Sequence, residues 1–241
     1  DNDHSDDPDE WVYPSDVANA FPGVAFAVHY SRNHMKKKGD KAPRPKFHVF
    51  FAIDRITDPG QYSEMKKLVN IDSGSGNVAG INRVADKLAG WYQEIGWNVE
   101  RIPADGGRQV LLITNHVSEH YDAMYIGHMD TVFPDGTAEK RPFRIEGENY
   151  YGPGVGDMKN GDLAMFHIAA NLPETEKKCL NIAMVYNPDE EIGSIYSKEI
   201  TDRIGCQADH IFVMESAGKN GTRHCFARKG SLTYDIEFQG Q

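Results

Sequence analysis

Residues 78–127 read VAGINRVADKLAGWYQEIGWNVERIPADGGRQVLLITNHVSEHYDAMYIG. Apolar residues recur in the first part of this stretch at three- and four-residue steps, namely at Val78, Ile81, Val84, Leu88, Trp91 and Ile95. That spacing predicts an amphipathic helix, and Gly96 is placed to end it. Three short apolar runs follow, at 97–102, 110–114 and 123–127, each bounded by turn residues or polar residues. They predict three β-strands.

The same alternation continues towards the carboxyl end of the chain. Residues 163–172 predict a second helix that Pro173 ends, and residues 180–187 (LNIAMVYN) predict a strand. A third helix is predicted at 193–204 and a further strand at 210–214. Because strands that alternate with helices favour an α/β fold, we expect a three-layer α/β/α domain with a mostly parallel sheet.

The amino-acid composition argues against several classes of protein. Of the 241 residues, 39% are hydrophobic, which is enough to build a core and argues against wholesale disorder. No apolar run approaches the ~18 residues that a membrane span requires, so an integral membrane protein is not expected. A net charge of −10 argues against nucleic-acid binding, which requires a basic surface.

The first 55 residues differ in charge pattern from the rest. Residues 1–16 hold seven acids and no Lys or Arg, whereas residues 32–46 hold seven basic residues and one acid. Apolar runs at 21–30 and 47–53 could each form a short strand. Two interpretations stay open: a solvated and partly disordered extension, or a pro-segment or an element packed on the main domain.

Cysteine usage and the N-terminus bear on the cellular compartment. Cys179, Cys206 and Cys225 are few and widely spaced, which predicts reduced thiols rather than a disulfide framework. The first residues, DNDHSDDPDE, lack the basic and then apolar pattern of a signal peptide. The cytoplasm is therefore the favoured location.

Polar residues suited to metal chemistry follow the predicted strands. His128 and Asp130 come directly after the strand at 123–127, and a histidine with a nearby carboxylate suits a metal ligand and the acceptor that orients it. Asp157 lies in a glycine-rich stretch before the second helix, and Glu215 follows the strand at 210–214. Open α/β sheets place their sites at such strand ends. The simpler interpretations are surface polarity for His128 and Asp130, and a helix cap for Asp157.

An acidic triplet, Asp189, Glu190 and Glu191, follows the predicted strand at 180–187. Successive carboxylates repel one another unless a cation or hydrogen bonds neutralise them. A metal explains the triplet, with one glutamate as ligand and the other free to carry a proton, and a solvated loop explains it equally well. Imidazole and carboxylate ligands without thiolates suit Zn²⁺, and Co²⁺ or Mn²⁺ would also bind. A metal-assisted hydrolase is the favoured class.

Four stretches of the sequence resemble those of a known family. They are IGHMDTVFPDGT (126–137), YGPGVGDMKNG (151–161), NPDEEIGS (187–194) and VMESA (213–217). They resemble the signature stretches of the di-zinc exopeptidases related to glutamate carboxypeptidase, a family that includes aminoacylases and acetylornithine deacetylase. Residues 66–88 and 140–154 are similar to the bacterial glutamate carboxypeptidase branch. The resemblance covers roughly residues 58–240.

The resemblance implies a ligand set for two Zn²⁺ ions. His128 and Glu215 correspond to ligands of the first metal, and Glu191 corresponds to a ligand of the second. Asp157 corresponds to the aspartate that bridges both metals and precedes a cis peptide bond.

The resemblance also implies a mechanism. Glu190 corresponds to the general base that acts on a metal-activated water molecule, and Asp130 to the carboxylate that orients His128. The bond cleaved is a C-terminal peptide bond or an N-acyl amino acid amide bond, so the expected partners are small peptides or N-acyl amino acids.

Parts of the family pattern have no match in this sequence. In the family the second metal takes a further histidine beyond a separate lid domain, and residues 227–241 resemble only the first lid strand. We therefore expect a chain truncated within the lid, with an N-terminal extension at 1–55 and a catalytic domain at 56–226. The other histidines within residues 58–240 match no motif and are interpreted as structural or surface residues: His116, His120, His167, His210 and His224.

Three consequences follow for the chain as a whole. One zinc ion is expected to bind well, the chain alone is expected to be inactive, and a homodimer is expected only for a longer chain that carries the lid. One rival hypothesis is an inactive truncated fragment that acts as a metal-binding or interaction domain. Another is a single-metal hydrolase with His128, Asp157 and Glu215 as ligands. The substrate side chain cannot be predicted, because the residues that contact it belong to the lid.

Overall fold

A computed structural model describes residues 59–147 and 149–216, together with residues 7–8, 11, 13–20, 26–30, 35, 43 and 47–51. The chain divides into two compact units, one of residues 1–56 with 224–241 and one of residues 57–223. The predicted domain limits at 55 and 226 stay predictions. The predicted lid strand within 227–241 lies outside the described residues.

In the first unit the described elements are one short helix and a two-stranded sheet. Helix α1 (Pro14–Ala20) is preceded by Tyr13, whose backbone N–H donates to Asp16 Oδ2 over 2.6 Å. Strands β1 (Phe26–Tyr30) and β2 (Phe47–Phe51) pair antiparallel. Both strands lie within the apolar runs predicted to form short strands, so these two predictions are confirmed.

The second unit is built on a five-stranded sheet. In chain order the strands of this unit are β3 (Asn98–Ala104), β4 (Arg108–Thr114), β5 (Tyr121–His128), β6 (Arg144–Glu146), β7 (Asn149–Tyr151), β8 (Ile182–Asn187) and β9 (Ala208–Val213). The main sheet has the spatial order β3-β4-β8-β5-β9, and β6 and β7 form a separate antiparallel pair. All five main strands coincide with predicted apolar runs.

The main sheet is mixed, which corrects the expectation of a mostly parallel sheet. Strand β5 pairs parallel with β8 and with β9, whereas β3–β4 and β4–β8 are antiparallel pairs. Strands β3 and β4 are joined only by Asp105–Gly107, and a parallel connection requires about a dozen residues or more. Gly106 and Gly107 take φ values of 71° and 76°, a left-handed conformation that closes the hairpin.

The helices confirm the α/β class. In chain order they are α2 (Pro59–Val69), α3 (Val78–Glu94), α4 (Thr137–Lys140), α5 (Asn160–Ala170), α6 (Glu174–Cys179) and α7 (Lys198–Gly205). Helices α3 and α5 match predicted helices, but α7 begins at Lys198 rather than at 193. The reason is that Gly193 and Ser194 have φ values of 88° and 54°, which no right-handed helix contains. Among the described residues no helix is long and apolar enough to cross a membrane.

Helices pack on both faces of the sheet, as the three-layer prediction requires. On one face, Tyr186 of β8 lies 2.8 Å from Tyr92 of α3, hydroxyl to hydroxyl, and the Tyr92 ring packs edge-on against Phe166 of α5. Val185, the strand neighbour of Tyr186, points to the opposite face and packs in a buried cluster with Ile204 of α7.

Three parallel strands end at the same edge of the sheet. His128, the last residue of β5, lies opposite Asn187, the last residue of β8. Val213, the last residue of β9, lies opposite Ile126. Residues that follow β8 and β9 therefore enter the space around His128.

Candidate metal centre

His128 forms the base of the candidate site. Its side chain is 1% exposed, and its Nδ1 lies 3.0 Å from the Asp130 backbone oxygen and 3.4 Å from Asp130 Oδ1. An imidazole that donates a hydrogen bond through Nδ1 keeps the lone pair of Nε2 for a metal. The Nε2 atom faces a group of carboxylates.

The carboxylates come from three different places in the chain. Nε2 of His128 lies 3.1 Å from Asp157 Oδ1, 3.3 Å from Glu215 Oε1 and 3.8 Å from Glu190 Oε2. The ligand atoms of His128, Asp157 and Glu191 lie within 4.8 Å of one another, and so do those of His128, Glu190 and Glu215. The structure thus brings together all five predicted side chains. It divides them differently from the implied ligand sets, since Glu190 rather than Asp157 is grouped with Glu215.

Asp157 is presented by an irregular turn that precedes α5. Gly154 begins the turn with φ 74°, and the Asp157–Met158 peptide bond is cis, as the resemblance implied. Gly161 lies against the end of β9, because a Cβ atom added there would come 2.1 Å from the Met214 oxygen. Glu215, the residue after Met214, lies with its Oε1 3.3 Å from His128 Nε2.

Asp130 is fully buried and connects several parts of the site. Its Oδ1 accepts a hydrogen bond from Glu190 N over 3.0 Å. Its Oδ2 accepts from Glu191 N over 3.2 Å and from Ser75 Oγ over 2.7 Å. The predicted orienting residue is therefore in contact with His128 and with the backbone of both glutamates.

Asp189 is buried and lies outside both ligand groups. Its Oδ2 accepts a hydrogen bond from Tyr196 N over 2.7 Å, so Asp189 serves as a hydrogen-bonding residue of the loop. Other histidines have partners elsewhere: His116 contacts the Lys177 oxygen, His120 contacts Asp209, and His167 contacts Glu64. His224 lies outside the described residues.

The crowding of carboxylates favours positive charge at His128. Burial alone lowers the pKa of His128, but hydrogen bonds to Asp130 and Glu215 and the surrounding negative charges raise it to about 11. Burial raises the pKa of Glu190, and burial with the charge of Asp157 raises the pKa of Glu191 to about 6. A divalent cation would satisfy the same electrostatic requirement.

The donor set fits a metal of the zinc type. Each group offers one imidazole nitrogen and two carboxylate oxygens, and three protein ligands of this kind are typical of a catalytic zinc site. The buried His128 is held in one orientation by Asp130, while Asp157 and Glu190 are about half exposed or more. An ion bound there would stay in contact with solvent on one side.

Two buried charged residues near the site were not predicted from the sequence. Lys159 and Asp162 are both fully buried, and Lys159 Nζ donates to the Ile71 oxygen over 2.8 Å. Burial lowers the pKa of Lys159 to about 8 and raises the pKa of Asp162 well above its usual range. Both lie in or beside YGPGVGDMKNG, but only the contact with residue 71 reveals that Lys159 is buried.

A cavity of about 460 Å³ adjoins the carboxylates. Its walls come from 74–77, 131–135 and 191–192, so Glu191 is shared between the cavity and the candidate site. Val132 and Ile192 present exposed apolar side chains there, whereas Asp135 and Glu191 are acidic. The size is within the range of small-molecule pockets.

Part of the chain is similar to a known protein family. Residues 124–240 match the model of Peptidase family M20/M25/M40. This part of the chain is similar to peptidase family M20. The matched M20 segment contains His128, Asp157 and all the other candidate ligands.

Named relatives extend the similarity to most of the chain. The chain is 26% identical to carboxypeptidase G2 of Pseudomonas sp. (strain RS-16) over 200 residues, which cover 80% of this chain and 47% of that protein. It is 30% identical to an acetylornithine deacetylase of Pectobacterium atrosepticum, over 64% of this chain and 40% of that protein. The chain therefore spans less than half the length of these curated relatives.

The fold is also that of a solved M20 enzyme. An M20 family metallo-carboxypeptidase from Sulfolobus solfataricus superposes with a TM-score of 0.54 at 23% identity. The match covers 66% of this chain and 37% of that one. It supports the α/β fold.

Proposed function

We propose that the chain carries the catalytic metal site of a zinc-dependent hydrolase that cleaves a C-terminal peptide bond or an N-acyl amino acid amide bond. The observation that carries the proposal is the buried His128 Nε2, which faces the carboxylates of Asp157, Glu190 and Glu215 within 3.8 Å. The relatives support it, because one is named a carboxypeptidase and another a deacetylase.

Four residues would hold the metal: His128, Asp157, Glu191 and Glu215. When bound, the ion would polarise the amide carbonyl and lower the pKa of a water molecule. Co²⁺ or Mn²⁺ could replace Zn²⁺ at imidazole and carboxylate ligands. Asp130 would keep the imidazole in the orientation that ligation requires.

Glu190 is the proposed general base. Its side chain is half exposed and lies beside the ligands, so a carboxylate oxygen can reach a water molecule at the site. Burial raises its pKa, which brings the group closer to the range in which an acid can both take and return a proton. Glu190 would accept a proton from the attacking water and deliver it to the leaving amine.

The described residues favour one tightly bound ion per chain. Both ligand groups contain His128, and a single imidazole nitrogen can ligate only one ion. A second ion would therefore have only carboxylates from the described part of the chain. This supports a single-metal hydrolase as a second candidate beside the two-zinc arrangement of the family.

The proposed substrates are small peptides or N-acyl amino acids. The cavity beside Glu191 can accept one substituent of such a molecule close to the reacting amide. Nucleic acid is not a proposed partner. A homodimer is proposed only for a longer chain that carries the lid.

Zinc titration of the 241-residue chain tests the proposal. We expect one tight ion in the unmodified chain, loss of tight binding in His128→Ala, and unchanged binding in His120→Ala. His120 is a suitable control because it is exposed and contacts Asp209 rather than any candidate ligand. Tight binding that survives His128→Ala would overturn the assignment of the site.

Activity needs a separate measurement. A chain extended through the lid should hydrolyse peptides or N-acyl amino acids when it is loaded with zinc. If such a chain binds zinc normally and cleaves neither substrate class, the metal-binding or interaction domain becomes the better description.

A further inference from the structure

Ser75 is linked to His128 through Asp130. The Ser75 hydroxyl donates to Asp130 Oδ2 over 2.7 Å, although the two residues are 55 positions apart. The Asp130 carboxylate is 0% exposed, so its charge depends on hydrogen bonds rather than on water. Among the described residues its partners are the backbone N–H groups of Glu190 and Glu191, the Ser75 hydroxyl, and His128 Nδ1 at 3.4 Å from Oδ1.

The segment that carries Ser75 is held on both sides. The Ser75 backbone N–H donates to the Thr131 oxygen over 3.1 Å, and the Ser75 oxygen accepts from Arg108 Nη2 over 2.7 Å. Gly74 forms a parallel β-bridge with Thr131, and a Cβ atom at Gly74 would come 2.3 Å from the Phe133 oxygen. The Ser75 hydroxyl is therefore fixed against the loop that follows His128.

The Asp130 carboxylate also accepts the backbone N–H groups of Glu190 and Glu191. A rotation of this carboxylate would disturb His128 and the two glutamates together. Oδ2 accepts from both Ser75 and Glu191, so loss of the hydroxyl leaves Oδ2 with one weaker partner at 3.2 Å. A hydrogen bond to an ionised carboxylate is stronger than one between neutral groups.

We infer that Ser75 is a positioning residue for the metal site, which acts through Asp130 to fix the His128 imidazole and the Glu190–Glu191 backbone. The inference rests on the proposed function. Partners that orient metal ligands typically change metal affinity by about 10–100-fold when they are removed. Ser75 should have an effect of that size although it contacts no ligand directly.

The test compares zinc affinity in four forms of the 241-residue chain, measured by calorimetric titration. Ser75→Ala removes the hydroxyl and should weaken zinc binding by about 10–100-fold. Ser75→Thr keeps the hydroxyl and should restore the affinity of the unmodified chain. Ser73→Ala is the matched control, because the Ser73 hydroxyl is buried in the same segment without a hydrogen-bond partner among the described residues. It should leave zinc affinity unchanged.

A spectroscopic readout separates positioning from general stability. With Co²⁺ in place of zinc, the absorption bands of the ion should shift in Ser75→Ala and stay constant in Ser73→Ala.

If Ser75→Ala does not fold, Ser75→Cys takes its place, since a thiol is a weak donor and should give the same loss of zinc affinity. Equal affinities for Ser75→Ala and Ser73→Ala, or a Ser75→Thr variant as weak as Ser75→Ala, would overturn the inference. Failure of the unmodified chain to bind zinc would instead refute the proposed function.

Discussion

Glu190 and Glu191 are neighbours in the chain, but their side chains belong to different groups at the site. Glu190 is grouped with His128 and Glu215, whereas Glu191 is grouped with His128 and Asp157. Their contacts with Asp130 are made by backbone N–H groups, which substitution of the side chain leaves in place. Exchanging either glutamate for glutamine therefore tests the carboxylate alone.

We expect Glu190→Gln and Glu191→Gln to have different effects in an active, longer chain. The amide of Glu190→Gln cannot take a proton, so kcat should fall by at least ~10²–10⁴-fold while zinc content is unchanged. Glu191→Gln should first reduce zinc content, and added zinc should restore part of the activity. Steady-state kinetics with metal analysis measures both. If Glu190→Gln loses zinc and recovers its rate when zinc is added, the two roles are exchanged.

The buried Asp162 should make the stability of the folded chain depend on pH. Its side chain is fully buried, and neither oxygen has a hydrogen-bond partner among the described residues. Burial raises its pKa well above the ordinary value of 3.8, although His128 and Lys159 oppose the shift. Folding thus favours the neutral acid, so the contribution of Asp162 to stability is complete below about pH 4 and is lost as the pH rises through the folded-state pKa.

Asp162→Asn stays neutral and keeps the size of the side chain. Its stability relative to the unmodified chain should therefore increase with pH, by up to ~1.4 kcal/mol per pH unit. Urea unfolding at about pH 5 and about pH 8 measures this difference. Asp86→Asn is the surface control, because Asp86 is 66% exposed. A difference that is independent of pH would contradict the assignment of a raised pKa.

At the scale of elements, the α/β class and the main strands could be predicted, because the spacing of apolar residues within a short segment indicates which of its side chains are buried. The antiparallel pairing of β3 and β4 is also encoded locally, in the two glycines of Asp105–Gly107, whereas the expectation of a mostly parallel sheet rests only on the alternation of strands and helices. The role of Ser75 could not be predicted in this way. Its hydrogen bond to Asp130 joins distant segments, and no local pattern specifies such a contact.

Gly161 joins two elements that present metal ligands. It lies in the first turn of α5, and the end of β9 approaches it so closely that a Cβ atom would come 2.1 Å from the Met214 oxygen. Gly161→Ala should destabilise the chain by about 1–3 kcal/mol, because backbone has to move. It should also weaken zinc binding, since Glu215 follows Met214.

Gly90 in α3 is the matched control for Gly161. No atom lies within 4 Å of a Cβ atom built there, so Gly90→Ala should stabilise the helix by ~0.5–1 kcal/mol and leave zinc affinity unchanged. Urea unfolding and zinc titration of both variants check the pair. A Gly161→Ala variant with normal stability and normal zinc affinity would show that β9 does not need this contact to place Glu215.

At the scale of the whole molecule, metal binding, protonation and the fold are coupled. The ligands come from the ends of β5, β8 and β9 and from the turn before α5, so only the folded second unit brings them together. The chain carries a net charge of −10, and part of this excess is concentrated where Asp130, Asp157 and three glutamates surround one imidazole. In the metal-free protein a proton on His128 offsets part of that charge.

Zinc must displace this proton, because Nε2 can hold either a proton or a metal. The pKa of His128 is about 11, so the metal-free site carries the proton throughout the neutral range. The stability that this proton adds is complete below the unfolded-state pKa of 6.5, declines as the pH rises above it, and is fully lost once the pH has risen through about 11. Zinc binding at about pH 7.5 should therefore release one proton, and the apparent affinity should rise about tenfold per pH unit. Below about pH 6 the number of protons released per zinc ion should exceed one, since the pKa of Glu191 is about 6.

Calorimetric titration in buffers of different ionisation enthalpy counts these protons directly. Zinc binding without proton release at about pH 7.5 would show that His128 is not a ligand.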